Sequence, residues 1–392
     1  MAKEKQRPII YLIGTSGAPN YGDELITATW LRYYAETFPE TEVWVDTPRP
    51  GQSAVLHGGI HPRARFVDTL FHGCWIAPSE EVEDLISFGD RLASEPGLLP
   101  REATGIEEFS RIALVHVMGG AYLNKIWPRH FLLLGAAAAI ARNNSVPVAL
   151  TGAALTPFPD SGQDAVAKLL SEFHVVDVRD QATKSALEHA VPHLTFTGDD
   201  ALLYGGDGRL DHQSPHKVLI AVQNDMLSEP LEAVADYVVR TIQLWKADES
   251  RVTIVESMPP DDAALAPLLS ERLSKVEVLP FSHLWRSHFP APPRARWITT
   301  RYHAHLMGAL AGGWGVVLPV GGDSTTSSPT DLIDQGSGWT LAPDLGDPIP
   351  ANRGVSLAFG GKVQQLRAAK QAVAVEIATK ARGARAAQTT PR

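Results

Sequence analysis

Ile9-Ile-Tyr-Leu-Ile-Gly-Thr-Ser-Gly-Ala-Pro-Asn-Tyr-Gly-Asp-Glu-Leu-Ile26 is the stretch on which the fold turns. The uncharged run Ile9 to Ile13 reads as a short buried strand. A loop with Gly14, Gly17 and Gly22 follows. Ile26, Trp30, Tyr34 and Phe38 then recur at four-residue spacing, one face of a helix that begins near Asp23. A strand feeding a helix in this way is the unit from which parallel sheets are built. The glycines let backbone N–H groups approach an anion, and the helix start adds the positive end of its dipole. The spacing is neither the dinucleotide fingerprint nor a P-loop, because no Gly-Lys-Ser/Thr follows. The plainer reading is a tight turn with Asp23 capping the helix.

The same alternation continues outward. Glu42–Val45, Ala113–Met118, Val146–Leu150, His174–Val178 and Leu194–Phe196 read as strands. Helical patterns fill Phe131–Arg142 and the neighbourhoods of Asp164–Phe173 and Gln181–Ala190. Gly205 to Pro215 is polar, Gly-rich and aperiodic, as a linker is. Beyond it Lys217–Val222, Val252–Glu256, Val276–Leu279, Trp297–Thr300 and Val316–Val320 restart the pattern, and Ser356–Lys380 reads as a long helix before a frayed tail. The expected architecture is α/β: two facing, mostly parallel Rossmann-like domains over 1–205 and 217–350. A linker over 206–216 joins them, and a C-terminal helix and tail occupies 351–392.

Composition narrows the function. Over 392 residues, 35 Lys and Arg stand against 44 Asp and Glu, a net charge of −9 that argues against coating nucleic acid or an anionic membrane. A single cysteine, Cys74, permits neither an intrachain disulfide nor a multi-cysteine zinc site. The charged amino terminus running into Ile9–Ile13 is too short in its apolar part for a signal peptide, and Phe131–Ile140 is about half a membrane span, so a soluble cytoplasmic protein is expected.

In parallel sheets ligands sit beyond the carboxyl ends of strands, which directs attention to the residues just after them. Gly119-Gly120 follows an apolar strand and permits close backbone approach, or is simply a strand-to-helix corner. Trp127, a little further on, could stack on a sugar, although an aromatic there is more often core. Arg179, at the exit of Val175–Val178, is placed to grip a carboxylate or phosphate; a surface ion pair with Asp177 or Asp180 is the alternative. Arg301, Tyr302 and His303 stand where a strand ends and a helix starts, so His303 is a candidate acid/base group beside a cation. His303 and His305 do not make a metal pair on a helix, because residues two apart point about 200° apart. The histidines at 57, 61 and 72 with Cys74 fit no zinc spacing. No metal site is expected.

The order of these elements is more specific than any one of them. Asn20-Tyr-Gly-Asp-Glu24, Gly119-Gly120, Arg179-Asp180 with Ser185 and Leu187, Gly198-Asp-Asp-Ala-Leu202 and Arg301-Tyr-His303 together resemble the polysaccharide pyruvyl transferase family over about residues 9 to 320. The resemblance implies a GT-B-like fold and transfer of pyruvate from phosphoenolpyruvate onto two hydroxyls of a sugar in a cell-surface or exopolysaccharide precursor. Phosphoenolpyruvate would be the donor, with no other cofactor, and the acceptor a sugar or lipid-linked oligosaccharide. Nucleic acid would have no part, and peripheral association with the inner membrane face is allowed. Arg179, Arg301 and His303 would hold the donor and do the chemistry. Asn20, Gly22, Asp23, Gly119, Gly120 and Tyr302 would line the substrate site. The chain departs from the family pattern at Ala121, Asn124 and Asp200. The competing expectation is a GT-B-type nucleotide-sugar glycosyltransferase, for which Asp323 or Asp331 could hold a ribose, or an inactive sugar-binding relative.

Overall fold

In a computed structural model of the chain, residues 7–204, 209–225, 227, 229–248, 251–320, 327–350 and 357–389 are described. They form two α/β units. The first comprises the chain to Ala18, Asp23–Leu203 and the residues from Ala368 onward; the second comprises Pro19–Gly22 and Tyr204–Arg367.

The first unit is built on β1 (Ile9–Ile13), β2 (Glu42–Asp46), β3 (Ala64–Val67), β4 (Ile112–Val117), β5 (Val148–Ala153), β6 (Val175–Val178) and β7 (Leu194–Phe196). All pair in parallel, in the order β3-β2-β1-β4-β5-β6-β7. Every residue of β1, β2, β4, β5 and β6 is buried, because helices cover both sheet faces; the strands are accordingly mostly apolar, with Glu42, Asp46, His116, Thr151 and Asp177 as buried polar exceptions. Edge strand β3 is half-exposed and carries Arg65, and the sequence reading passed over it.

Two helices of this unit, Val82–Leu92 and Phe131–Asn144, touch backbone to backbone. A Cβ on Gly89 would lie 2.2 Å from the Leu132 carbonyl oxygen, and one on Gly135 2.2 Å from that of Ile86. The Ala-rich composition of the second helix has the same cause, since Phe131 to Ala141 is buried throughout.

The second unit carries β8 (Leu210–Asp211), β9 (Val218–Ala221), β10 (Val252–Val255), β11 (Val276–Leu279), β12 (Phe289–Pro290), β13 (Arg296–Thr299), β14 (Trp314–Val317) and β15 (Thr340–Leu341). Its main sheet is parallel in the order β11-β10-β9-β13-β14-β15, and β8 with β12 makes a separate two-stranded ribbon. Part of the expected linker is thus a strand, because Leu210 and Asp211 find partners in Phe289 and Pro290; residues 205–208 lie outside the described part. The C-terminal helix spans Leu357–Thr389, longer than its Ala, Gln and Lys content suggested. Val373, Ala374, Ile377, Ala378 and Ala381 are all buried. Ser356 and the last three residues lie outside the described chain, as does Asp323.

Each sheet reverses direction of growth beside its first strand, between β1 and β4 and between β9 and β13. At such reversals the loops beyond the carboxyl ends diverge and leave a crevice, the usual ligand position in open α/β sheets.

Candidate functional site

The glycine loop after β1 does cradle an anion, but the anion is internal. Glu24 Oε1 accepts the Gly17 N–H at 2.7 Å; Oε2 accepts the Ser16 hydroxyl at 2.7 Å and lies 2.7 Å from His57 Nε2. Ser53 donates to Ser16 Oγ, and the Ser16 amide donates to Thr47. Ser16, Glu24, Ser53 and His57 are sealed from solvent, so this Ser–His–Glu grouping locks the loop and offers no nucleophile. The helix starts at Tyr21, two residues before Asp23, which puts Gly22 in its first turn.

Beyond β4, the Gly119 N–H donates to Asp200 Oδ2 at 2.9 Å, while Gly120 pairs its N–H with Gly152 and its carbonyl with Ala154. Asp200 also accepts Trp30 Nε1 at 2.8 Å, Thr151 Oγ1 at 2.7 Å and Lys370 Nζ at 2.9 Å. Lys370 reaches in from the C-terminal helix and donates to Asp177 as well. Asp177, Asp200 and Lys370 have no exposure. Burial raises the Asp177 pKa, and Lys370, which burial alone would lower, is raised by its two carboxylates. Above them His116 bridges Tyr34 and Thr151, 2.9 Å from each, with burial lowering its pKa to about 4. This network holds the Gly119-Gly120 turn from below. Asp23, half-buried, stands at its rim, its Oδ1 3.7 Å from where a Cβ on Gly120 would be. Asn124 closes its own loop through Ala121 and Ile126.

Arg179 is buried rather than at the surface, and its partner is Asp199 at 3.2 Å, neither of the two expected. Asp180 caps the helix Gln181–Leu187 by accepting the Thr183 N–H at 2.7 Å.

In the second unit Arg301 stands just before the helix Tyr302–Leu310, at the end of β13, and its side chain makes no capping bond to it. Its Nε donates to Asp262 Oδ1 at 2.9 Å and its Nη2 to the same oxygen at 2.5 Å, with Asp225 3.8 Å from Nη2. Asp262 Oδ2 accepts the amides of Ser257 and Met258. Burial raises the Asp262 pKa to about 6, against the pull of Arg301. The Ser257 carbonyl accepts the Tyr21 N–H at 2.8 Å, and Asn20 Oδ1 accepts the Gly22 N–H at 3.1 Å. Gly22 in turn lies against His303: a Cβ there would stand 1.9 Å from Nδ1. Tyr302 meets His303 edge-on at 5.2 Å. The Asn20–Gly22 segment and the Arg301–His303 segment, almost 280 residues apart in the chain, therefore form one cluster. His305 faces elsewhere, its buried ring bonded to Ser337 and stacked on Trp339. At the same sheet edge, Leu227, Val234, Leu318 and Pro319, with the carboxylates of Glu229 and Asp344, line a cavity of about 150 Å³.

Sequence reasoning missed Asp262 and Lys370, and it named Glu24, His57 and Asp177 without the partners they have in the fold. The pairing of Lys370 with Asp177 spans 193 positions, which no local spacing marks.

Two parallel sheets of this topology with ligand-type residues at their carboxyl edges define a GT-B-like, double Rossmann protein. Residues 20–291 match the family described as polysaccharide pyruvyl transferase, and the chain belongs to that family. Among solved structures it is similar to a UDP-N-acetylglucosamine 2-epimerase (TM-score 0.51, 13% identity, 97% of this chain and 94% of that one). It is also similar to HepE of Anabaena in complex with UDP-glucose (0.50, 13%, 97% and 99%). A third is the UDP-GlcNAc 2-epimerase of Methanocaldococcus jannaschii (0.50, 9%, 93% and 92%). No curated protein matches the sequence.

These findings correct the expected chemistry. The expectation of a pyruvyl transferase with phosphoenolpyruvate as donor and partner, and an association with the inner membrane face, is overturned by the fold likeness, which is to UDP-GlcNAc 2-epimerases and to HepE in complex with UDP-glucose. Arg179 and Arg301 are each engaged by a carboxylate, and Arg179 is shut away from solvent. Among the described residues no helix is long and apolar enough to cross a membrane.

Proposed function

We propose that this protein is a GT-B-like enzyme acting on a nucleotide-diphosphate sugar in the making of a polysaccharide. The observation that carries the reading is the Asn20–Gly22, Arg301 and His303 cluster at the reversal of the second sheet, with a partly apolar cavity of about 150 Å³ lined by other residues at the carboxyl edge of the same sheet. Fold likeness alone does not assign function, so the site has to bear the argument. Arg301, already oriented by Asp262, would present its remaining edge to the diphosphate. His303, held by Gly22 and Tyr302, would move a proton at the sugar. The cytoplasm, where a lone buried thiol such as Cys74 stays reduced, is the compartment that suits it.

Calorimetric titration with UDP, UDP-GlcNAc and UDP-glucose tests this. Saturable binding is expected, weakened about 30-fold or more in Arg301→Ala, the loss of one charge-assisted contact. Turnover of UDP-GlcNAc followed by NMR then separates release of UDP from inversion at the sugar, and His303→Ala should abolish either. Absence of binding to all three nucleotides, or binding indifferent to Arg301→Ala, overturns the reading.

A further inference from the structure

The segment after β4 carries a feature that the chemistry above does not use. Trp127, for which the sequence offered stacking on a sugar or the commoner core position, is 53% exposed, and Trp75 is 73% exposed. The exposure is not that of a loose side chain. The Trp127 indole lies parallel to the His130 ring, 14° off plane with centroids 6.0 Å apart. His130 is itself fixed, with Nδ1 2.8 Å from the Tyr122 carbonyl and with Phe71 and Tyr122 edge-on at 5.5 and 5.9 Å. Backbone bonds from Trp127 to Asn124 and from His130 to Trp127, both 3.0 Å, hold the turn. One face of the indole is therefore packed and the other turned to solvent, with its orientation set in advance. Trp75 is tied to the same place, because Arg129 donates from Nη1 to the Trp75 carbonyl at 3.2 Å.

We propose that Trp127, in a segment tied to Trp75 through the Arg129 bond to the Trp75 carbonyl, is a platform on which the first unit binds a pyranose oligosaccharide. Pyranoses with equatorial hydroxyls present a face of C–H groups, and the negative π face of an indole attracts such polarised hydrogens. A rigid aromatic face loses little conformational entropy on binding, which favours the weak, repeated contacts of a sugar chain. The surrounding polar groups suit hydroxyls. Arg129 with Glu80 and Lys125 with Asp160 are ion pairs at 3.1 Å that supply donors and acceptors while cancelling in charge. That balance disfavours the other surface an exposed tryptophan could seek, an anionic lipid headgroup layer, which calls for an excess of Lys and Arg. The platform stands in the loop that begins at Gly119-Gly120, so a chain lying on it would lead toward the carboxyl edge of the first sheet. The proposal rests on the reading that this is a saccharide enzyme, and it adds a binding site for the polymeric partner.

The test is titration of the full chain, labelled with ¹⁵N at its indoles, with cellotetraose and with chitotetraose. The indole N–H signals of Trp127 and Trp75, assigned by single substitution, should shift saturably with at least one of the two. Trp127→Ala should weaken that binding about tenfold, and Trp127→Phe should restore part of it. Nucleotide-sugar affinity of the same variants, measured in parallel, should stay unchanged. Failure of the nucleotide titration with intact tetrasaccharide binding would sink the proposed donor and leave the platform standing. The platform is overturned by an absence of saturable shifts up to about 20 mM of either sugar. It is equally overturned by sugar binding that survives Trp127→Ala, or by tryptophan-dependent partition onto phosphatidylglycerol vesicles in place of sugar binding.

Discussion

Gly22 shows how one missing methyl can hold a site. The residue sits in the first turn of a helix, where alanine would ordinarily be favoured by nearly 1 kcal/mol. Here it is excluded, because a Cβ would fall 1.9 Å from His303 Nδ1. Gly22→Ala should therefore displace the imidazole and cost about 1–3 kcal/mol by overpacking, read as a lowered urea midpoint. Adding His303→Ala removes the collision, and the double variant should recover most of the loss. If the two costs simply add, the contact is not what selects glycine. Asp262 acts at the same scale from the other side. Asp262→Ala strips Arg301 of the acceptor that takes its Nε and Nη2. Affinity for a nucleotide diphosphate should fall even though a negative charge has been removed. A rise in affinity would mean that Asp262 competes with the ligand and does not orient the arginine.

Among the elements, the C-terminal helix Leu357–Thr389 does the most unusual thing, since it delivers Lys370 to a site with no exposure between Asp177 and Asp200. Removing one partner from a buried ionic group leaves uncompensated charge, and Lys370→Met should cost about 3–5 kcal/mol. Combining it with Asp177→Asn relieves one carboxylate and should return part of that loss in chemical denaturation. The helix pair Val82–Leu92 and Phe131–Asn144 is sensitive for another reason. At Gly89 and Gly135 the neighbouring atoms are backbone, which no side-chain rotation can move aside. Gly135→Ala should cost about 1–3 kcal/mol by forcing the helices apart.

Across the whole molecule, opposing titrations meet in the mildly acid range. Burial raises Asp46 to about 7 and Asp262 to about 6, and it lowers His116 to about 4 and His305 to about 3. A carboxyl raised in the fold contributes stability below its unfolded pKa near 4 and loses it as pH climbs through the raised value. A histidine lowered in the fold contributes above 6.5 and loses it as pH falls toward the lowered value. Between pH 5 and 7 each pair changes stability by on the order of 3–4 kcal/mol in opposite senses, so their sum stays nearly level. Single substitutions should unmask the slopes. In His116→Gln, stability should fall as pH rises from 5 to 7; in Asp46→Asn it should rise. Urea midpoints at the two pH values decide this, and parallel profiles for both variants would sink it.

The sequence by itself determined the class of fold. A central parallel strand buried on both faces favours apolar residues throughout, and Ile9–Ile13 carries that signature; the edge strands Leu194–Phe196 and Val276–Leu279 keep their expected boundaries but expose Thr195 and Glu277. Edge strand β3, which the pattern does not mark, and the two-residue ribbon of β8 and β12 escaped it. Arg301 and His303 were legible for the same local reason, being polar residues at a strand's carboxyl end. What they touch was not legible. Only the tertiary structure placed Glu24 in the glycine cradle, Asp262 on Arg301, His303 on Gly22 and Lys370 on Asp177, and only it turned Trp127 outward. Local spacing reports which face of an element is apolar. The partner of a buried charge depends on chain segments brought together from far apart, and a charge in a low-dielectric interior is defined by that partner.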